Sequence, residues 1–303
     1  MKRTFARVTI TLAAVVLLLT AGRTTAHAES EIRLQLVRGG LILVPVTAND
    51  DVSLTFLLDT GADRTIVDTA VAKRLSLTAL EPVEQLTVTG NDRVNVGTLA
   101  KLAVGGVQVD GLPVLEEDLS GMRRMDRRIV GILGQDFLSR FNYLLDYRAK
   151  RLRIEESGDL REALEGEAVP LDRADRRMMV AAEAEARGQA KLRLLLDSGA
   201  TSVVLMGQRV STALHCPMLQ PRTVMSTAGA AATRMGRVDL TVAAQAFRDV
   251  AVALVETPVE GIGDGLLPMA LFDAVYVNNA QGYVVVNPRE RKMARAATMG
   301  RGQ

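Results

Sequence analysis

The feature that most constrains the fold of this chain is an internal repeat. Residues 54–67 and residues 192–205 share one pattern, in which three apolar residues precede an aspartate, and a hydroxyl residue, a glycine and an alanine follow it. Each copy leads into a short stretch compatible with a helix, and then into alternating apolar segments. Each half closes on a glycine followed by apolar residues, at 131–134 and 265–268. Because the order of parts is preserved, the sequence predicts two copies of one domain.

The segments between these landmarks are typical of β-structure. Short runs rich in Val, Leu, Ile and Thr are separated by Gly, Asn and Asp, which is the spacing of strands and turns in an all-β domain. We therefore predict an all-β, bilobal fold of two tandem barrel-like lobes with a cleft between them. The predicted bounds are 31–155 for the N-terminal lobe, 156–167 for a charged linker, 168–290 for the C-terminal lobe and 291–303 for a disordered basic tail.

The first 28 residues have the pattern of an export signal. Lys2, Arg3 and Arg7 precede an apolar run at 8–19, and the small residues around His27 form a cleavage site. We expect a signal peptide that is removed, and a periplasmic or secreted protein. An uncleaved membrane anchor is the alternative, although the apolar run is shorter than the roughly 20 residues that a spanning helix needs.

Composition excludes several classes of chemistry. Tryptophan is absent and aromatic residues make up 3% of the chain, which disfavours a nucleic-acid partner that is held by stacking. Cys216 is the single cysteine, so no intrachain disulfide can form, and we expect it to be structural. After export the one remaining histidine is His215, which argues against a Ser-His-Asp triad and against a histidine-rich metal site. Carboxylates are left to do any acid-base chemistry, without metal or cofactor.

Asp59 and Asp197 are the candidate carboxylates. In each repeat an apolar strand delivers the aspartate to its end, where a glycine lets the backbone turn tightly and leaves the carboxylate uncovered. Two carboxylates within hydrogen-bonding distance do not both ionise, so one keeps its proton. Such a pair can activate a shared water with one member and protonate a substrate carbonyl with the other.

These motifs resemble those of the retropepsin and pepsin superfamily of aspartic peptidases. Residues 59–63, Asp-Thr-Gly-Ala-Asp, match the retroviral form of the signature, and residues 132–138 resemble the second signature of bacterial retropepsin-like proteins. The resemblance covers nearly all of the chain after the signal segment. It implies an endopeptidase that acts on polypeptides as a monomer with both lobes in one chain. The residues implied are Asp59 and Asp197 for catalysis, Thr60, Gly61, Ser198 and Gly199 for bracing the pair, and Ala62, Asp63 and Ala200 for binding substrate.

Two departures from the superfamily pattern stand out. The flaps are expected as hairpins around 90–92 and 228–230, but neither contains the tyrosine of the pepsin-type flap. Pro268 stands where the first lobe has Gly134. Since proline fixes its own backbone angle and removes a donor, we expect a distortion near Asp197.

Three alternatives stay open at this point. The chain is a non-catalytic peptide-binding protein that kept the fold, or a homodimer that pairs Asp59 with its symmetry mate and uses the second lobe otherwise. Asp197 is then structural. Asp63 is either a substrate contact or half of a surface ion pair with the adjacent Arg64.

Overall fold

The computed structural model describes residues 30–49, 51–87, 90–155, 159–172, 177–215, 219–226, 229–256 and 262–291. Most of these residues are in β-strands, and the helices are short. The predicted all-β, two-lobed fold is confirmed. Among the described residues, no helix is long and apolar enough to cross a membrane.

The first lobe is built on one mixed sheet, which has eight strands within the described ranges. These are β2 Gln35–Leu36, β3 Ile42–Ala48, β4 Asp51–Leu58, β5 Ile66–Asp68, β6 Thr78–Thr87, β7 Gly90–Val104, β8 Val107–Glu117 and β9 Ile129–Leu133. Their spatial order is β2-β3-β4-β9-β5-β8-β7-β6, and β3 also pairs with β7. β9 therefore separates β4 from β5, although these two strands are consecutive in the sequence.

The second lobe repeats this plan. In the part that the structure describes, its sheet has seven strands, β14 Met179–Glu185, β15 Gln189–Asp197, β16 Val203–Met206, β17 Leu219–Ser226, β18 Gly229–Val242, β19 Gln245–Val255 and β20 Gly265–Pro268. The order β14-β15-β20-β16-β19-β18-β17, with an added β14–β18 pairing, matches the first lobe strand for strand once β2 is left out. The sequence repeat is thus a repeat of topology.

A third sheet joins the lobes. Its described strands are β1 Ser30–Arg33, β10 Asn142–Asp146, β11 Arg151–Glu155, β13 Val169–Pro170, β21 Ala274–Asn278 and β22 Tyr283–Val286. The order is β1-β11-β10-β21-β22-β13, so each lobe contributes three neighbouring strands. The two halves meet where β10 pairs antiparallel with β21, with Tyr143 opposite Val277.

The strand that ends at Asp197 shows why these residues form a sheet. From Gln189 to Arg193 its residues alternate between exposed and buried, as expected for a strand with one face on the core and one in water. From Leu194 onward every residue to the end of β15 is buried. The strand therefore enters the interior, where both of its faces are covered.

One hydrophobic core is continuous through both lobes and the joining sheet, with members from Ile32 to Val284. Tyr143, Phe56, Phe137 and Phe272 are its largest fully buried side chains. Burial of apolar surface on this scale is the main favourable contribution to folding. It fixes the ends of the central strands of the two lobes relative to one another.

The α-helices within the described residues are short. They are α1 Thr69–Arg74, α2 Ser120–Arg123, α3 Gln135–Leu138, α4 Asp159–Glu162 and α5 Gln208–Leu214. Asp68 caps α1 by accepting a hydrogen bond from the Ala70 N–H at 3.1 Å. α1 and α5 fall in the two stretches that the sequence marked as compatible with helices.

The predicted linker, 156–167, contains α4 and the short strand β12 Leu164–Glu165, which pairs with β23 Arg289–Glu290. Arg291, which the sequence assigned to the tail, donates its backbone N–H to Ala163 O at 2.8 Å. The predicted signal segment, Cys216 and the rest of the tail from 292 lie outside the described residues.

Candidate active site

Asp59 and Asp197 occupy equivalent positions in the two lobes. Asp59 directly follows β4, and Asp197 is the last residue of β15. β4 runs parallel to β9, with Leu58 opposite Leu133, and β15 runs parallel to β20, with Asp197 opposite Pro268. Asp59 is half-buried and Asp197 is 7% exposed. The repeat therefore delivers one carboxyl from each lobe to a common place, where their side chains hydrogen-bond to each other.

Backbone N–H groups hold each carboxyl in its own loop. Asp59 Oδ1 accepts from Gly61 N at 2.8 Å and from Ala62 N at 3.2 Å. Asp197 Oδ1 accepts from Gly199 N at 2.7 Å. Backbone donors aimed at a carboxyl favour its ionised form. The two loops thus give each aspartate the same kind of support.

The hydroxyl residues cross from one lobe to the other in a reciprocal set of four hydrogen bonds. Thr60 Oγ1 donates to Leu196 O at 2.8 Å and accepts from Ser198 N at 2.9 Å. Ser198 Oγ donates to Leu58 O at 2.9 Å and accepts from Thr60 N at 3.0 Å. Thr60 is 1% exposed and Ser198 is 2% exposed, so none of these groups can turn to bulk water. The set fixes the two aspartates relative to each other.

The two glycines are required by close approach of the opposite carboxyl. A Cβ on Gly61 would lie 2.7 Å from Asp197 Cγ, and a Cβ on Gly199 would lie 2.5 Å from Asp59 Cγ. Both distances are shorter than real Cβ contacts. Each glycine therefore makes space for the aspartate of the other lobe.

The surroundings raise the pKa of both carboxyls. Burial raises the pKa of Asp59, although the N–H groups of Gly61 and Ala62 and the hydrogen bond with Asp197 oppose the shift. Burial, followed by the negative charge of Asp59, raises the pKa of Asp197 well above its usual range. One proton is therefore retained by the pair.

Residues 44–137 match the family model of the aspartyl proteases. The first lobe matches the aspartyl protease family. The resemblance to aspartyl proteases is thereby confirmed for this part of the chain. No curated protein matches the chain.

One similar solved structure is the crystal structure of a retropepsin-like aspartic protease from Rickettsia conorii, at 21% identity. The aligned part covers 43% of this chain and 93% of that one, with a TM-score of 0.33.

Beside the dyad of this aspartyl protease-like chain lie the residues predicted to bind substrate. Ala62 and Ala200 are half-buried, next to the glycines. Asp63 pairs with Arg177, whose Nε and Nη2 donate to its two carboxylate oxygens at 3.1 and 2.8 Å. The predicted pairing of Asp63 with Arg64 is therefore wrong. Its partner comes from the start of the second lobe.

Pro268 does not produce the distortion that the sequence suggested. It lies opposite Asp197 in the same parallel register that places Gly134 after the Leu58–Leu133 pair, and the hydrogen bond from Gly199 to Asp197 is intact. The donor that proline removes has no acceptor in this lobe. In the first lobe Gly134 N donates to Thr65 Oγ1 at 3.2 Å, and the counterpart of Thr65 is Val203.

Sequence reasoning missed the residues that support the Asp59 loop from behind. Gln135 donates its backbone N–H to Ala62 O at 2.8 Å and its side-chain amide to Thr60 O at 3.0 Å. Thr65 donates its hydroxyl to Asp136 Oδ1 at 2.6 Å and its backbone N–H to both carboxylate oxygens at 2.9 Å. Gln135 and Asp136 lie within the second signature, which was the one signal available.

The expected flaps correspond to two hairpins, β6–β7 and β17–β18. Their turns, at 88–89 and 227–228, lie outside the described residues. Among the described residues, no group of three or more His, Cys, Asp or Glu side chains is placed to hold a metal ion.

Proposed function

We propose that this protein is an aspartic endopeptidase that hydrolyses peptide bonds with a water activated between Asp59 and Asp197. The observation that carries the proposal is the hydrogen-bonded pair of carboxyls, one from each lobe, braced by the reciprocal bonds of Thr60 and Ser198. A buried pair of carboxyls lowers the stability of the fold, because burial penalises every ionised form. Pairs of this kind therefore occur mainly at functional sites.

The reaction needs a base and an acid at the same place. Asp59 takes a proton from the water as the water oxygen attacks the carbonyl carbon of the substrate, and Asp197 gives its proton to the carbonyl oxygen. When the resulting tetrahedral diol collapses, the C–N bond breaks, Asp59 gives its proton to the leaving amide nitrogen, and Asp197 takes a proton from one hydroxyl of the diol as the new carboxyl group forms. The cycle ends with one proton again shared between the carboxyls.

An extended polypeptide is the proposed substrate. It would lie between the lobes as an added strand, with its backbone hydrogen-bonded to the loops and its side chains in alternate pockets. Ala62 and Ala200 would form the walls nearest the scissile bond. Asp63 would contact substrate backbone at one side of the site, with its orientation fixed by Arg177.

Export fits the same proposal. Loss of residues 1–28 would remove four basic and no acidic residues and would change the formal charge from +2 to −2. We propose a monomer in the periplasm or outside the cell that acts on exported proteins or peptides, since both carboxyls are supplied by one chain.

Replacement of Asp59 and Asp197 separately by Asn tests this function. Both variants should lose about 10²- to 10⁴-fold in the rate of cleavage of a broad peptide library, because each removes an acid-base group. Turnover that survives the Asp197 change and falls on dilution would indicate a homodimer that uses Asp59 alone. Binding of peptides without cleavage at both acidic and neutral pH would indicate a non-catalytic binding protein.

A further inference from the structure

Asp136 is a buried carboxyl outside the dyad, and the second lobe has no counterpart for it. It is 8% exposed and lies at the start of α3. Burial raises its pKa, and the hydrogen bonds from Thr65 only partly oppose this. The charged groups around it are Arg64 and Arg140, and Arg140 Nε donates to its backbone carbonyl at 3.0 Å.

The hydrogen bonds around Asp136 form a chain with a fixed direction. Gly134 N donates to Thr65 Oγ1, so the hydroxyl proton of Thr65 is directed to Asp136 Oδ1. The residue pair Gln135 and Asp136 thus holds the Asp59 loop at three points, Thr60, Ala62 and Thr65. These points lie on both sides of the N–H groups that donate to Asp59.

The second lobe replaces the whole chain with apolar groups. The counterparts of Gly134, Thr65 and Asp136 are Pro268, Val203 and Ala270, none of which has a side-chain polar atom. Gln135 is replaced by Met269. The second lobe thus lacks the donor Gly134 N, the Thr65 hydroxyl and the acceptor Asp136 together. This is expected, because a partly satisfied buried hydrogen-bond network is less stable than apolar packing.

The same exchange changes how closely the loop is held. A Cβ on Gly134 would lie 2.5 Å from the carbonyl carbon of Arg64, so the loop backbone lies directly against this residue. Pro268 carries a Cβ, and the second loop cannot approach it in the same way. Two lobes with one topology therefore hold their aspartate loops by different contacts.

We propose that Gln135 and Asp136 are positioning residues that keep the backbone donors of Gly61 and Ala62 aimed at Asp59, so that Asp59 and not Asp197 is the ionised member of the pair. The effect of these residues on activity rests on the proposed function, whereas their effect on the pKa of the pair can be measured without it. Fixed donors stabilise a charge more than mobile ones because no reorganisation is needed. The other titratable groups near the pair are Asp63, which Arg177 holds, and Tyr147, a buried neutral phenol that lies near Asp197.

The test is a titration of the aspartate carboxyls by ¹³C NMR in the full chain. The double variant Thr65→Val/Asp136→Ala gives the first lobe the apolar pair of the second, and Gln135→Met does the same at the neighbouring position. Both should raise the lower apparent pKa of the dyad, whereas Asp136→Asn, which keeps an acceptor for Thr65, should raise it less. If the double variant does not fold, Gln135→Met carries the test.

Val203→Thr is the matched control, because it places an unpaired hydroxyl in the second lobe and destabilises the protein without touching the Asp59 loop. It should leave the lower pKa unchanged. An unchanged lower pKa in Gln135→Met and in the double variant, even with a lower Tm, would overturn the proposal and leave a structural role only.

Activity gives a separate readout. In an active protein the double variant should lose about 10- to 100-fold in kcat/KM, as expected for a misplaced catalytic group, and the acidic limb of its pH profile should move to higher pH. An inactive parent protein would contradict the proposed function, while the titration would still decide between positioning and structure.

Discussion

The two lobes share a strand order but support their aspartates in different ways. Behind Asp59 the first lobe has a chain of buried hydrogen bonds that ends on Asp136, and behind Asp197 the second lobe has Val203 and Ala270. Directly at the dyad the lobes are nearly identical in chemistry, with the same turn, the same glycine and a hydroxyl that crosses over. The two lobes therefore need the same residues only next to the carboxyls, and the residues behind them can differ.

The contacts between the lobes show the same division. Asp63 pairs with Arg177 across the lobe boundary, while its counterpart Thr201 packs against the turn at Gly39. Gly39 has a φ of 74°, and a Cβ there would lie 2.6 Å from Thr201 Cγ2. One boundary contact is ionic and the other is a close van der Waals contact, although topology makes them equivalent.

After the aspartates themselves, the largest expected effect comes from the glycines, where the two lobes should not differ. Gly61→Ala and Gly199→Ala each place a methyl group within 2.7 Å of the opposite carboxyl. We expect each change to lower kcat/KM by about 100-fold or more, since a displacement of about 1 Å of a catalytic group has an effect of this size. Steady-state kinetics on a cleaved peptide would measure it. Retained activity in one of the two variants would show that the lobes are unequal even at the dyad.

A second prediction concerns stability and distinguishes the two aspartates. A raised pKa means that the folded protein binds protons more tightly than the unfolded chain, so the free energy of unfolding falls as pH rises from about 4 through the folded pKa. Because the proposed mechanism leaves the proton on Asp197, Asp197→Asn should raise Tm at neutral pH, although it should lower activity by about 10²-fold or more, and Asp59→Asn should raise Tm less. Thermal unfolding between pH 3 and pH 8 would measure both.

At pH 3 the parent protein and both Asn variants should have similar Tm values, because the carboxyls are then protonated in the folded and the unfolded chain alike. A lower Tm in Asp197→Asn at pH 7 would contradict the assignment of the buried proton to this residue.

The smallest expected effect is at the lobe boundary. Arg177→Met removes the partner of Asp63, whose side chain is 43% exposed. An ion pair this accessible contributes about 0 to 1 kcal/mol, so the free energy of unfolding should change little. Peptide cleavage should change more, through KM, if Asp63 contacts substrate. Thr201→Val, at the equivalent place in the second lobe, is the matched comparison, and equal changes in KM would argue against a special role for Asp63.

The repeat predicted the fold well because both lobes need a buried strand that ends in a tight turn at an aspartate. Buried strands that end in aspartate, hydroxyl residue and glycine are visible in either half, and the second copy removes the ambiguity of a short motif. Arg177 could not be predicted as the partner of Asp63, since it lies among several arginines and only the folded chain selects one.

Pro268 illustrates a different limit. The sequence shows that proline replaces glycine, and the loss of a donor suggested distortion. The missing information was the acceptor, because Thr65 accepts from Gly134 while Val203 needs nothing from Pro268. A substitution in a buried network can be judged only with its partners, and these are distant in the sequence.

The sheet that joins the lobes has a consequence for biosynthesis. β10 pairs with β21, and the hydroxyl of Thr60 is held by Leu196 and Ser198, so contacts of the first lobe are completed by residues that are synthesised after it. A nascent chain that ends before the second lobe has an open edge at β10 and has Asp59 without Asp197. Because the proposed chemistry needs both carboxyls, it requires that the second lobe has folded against the first.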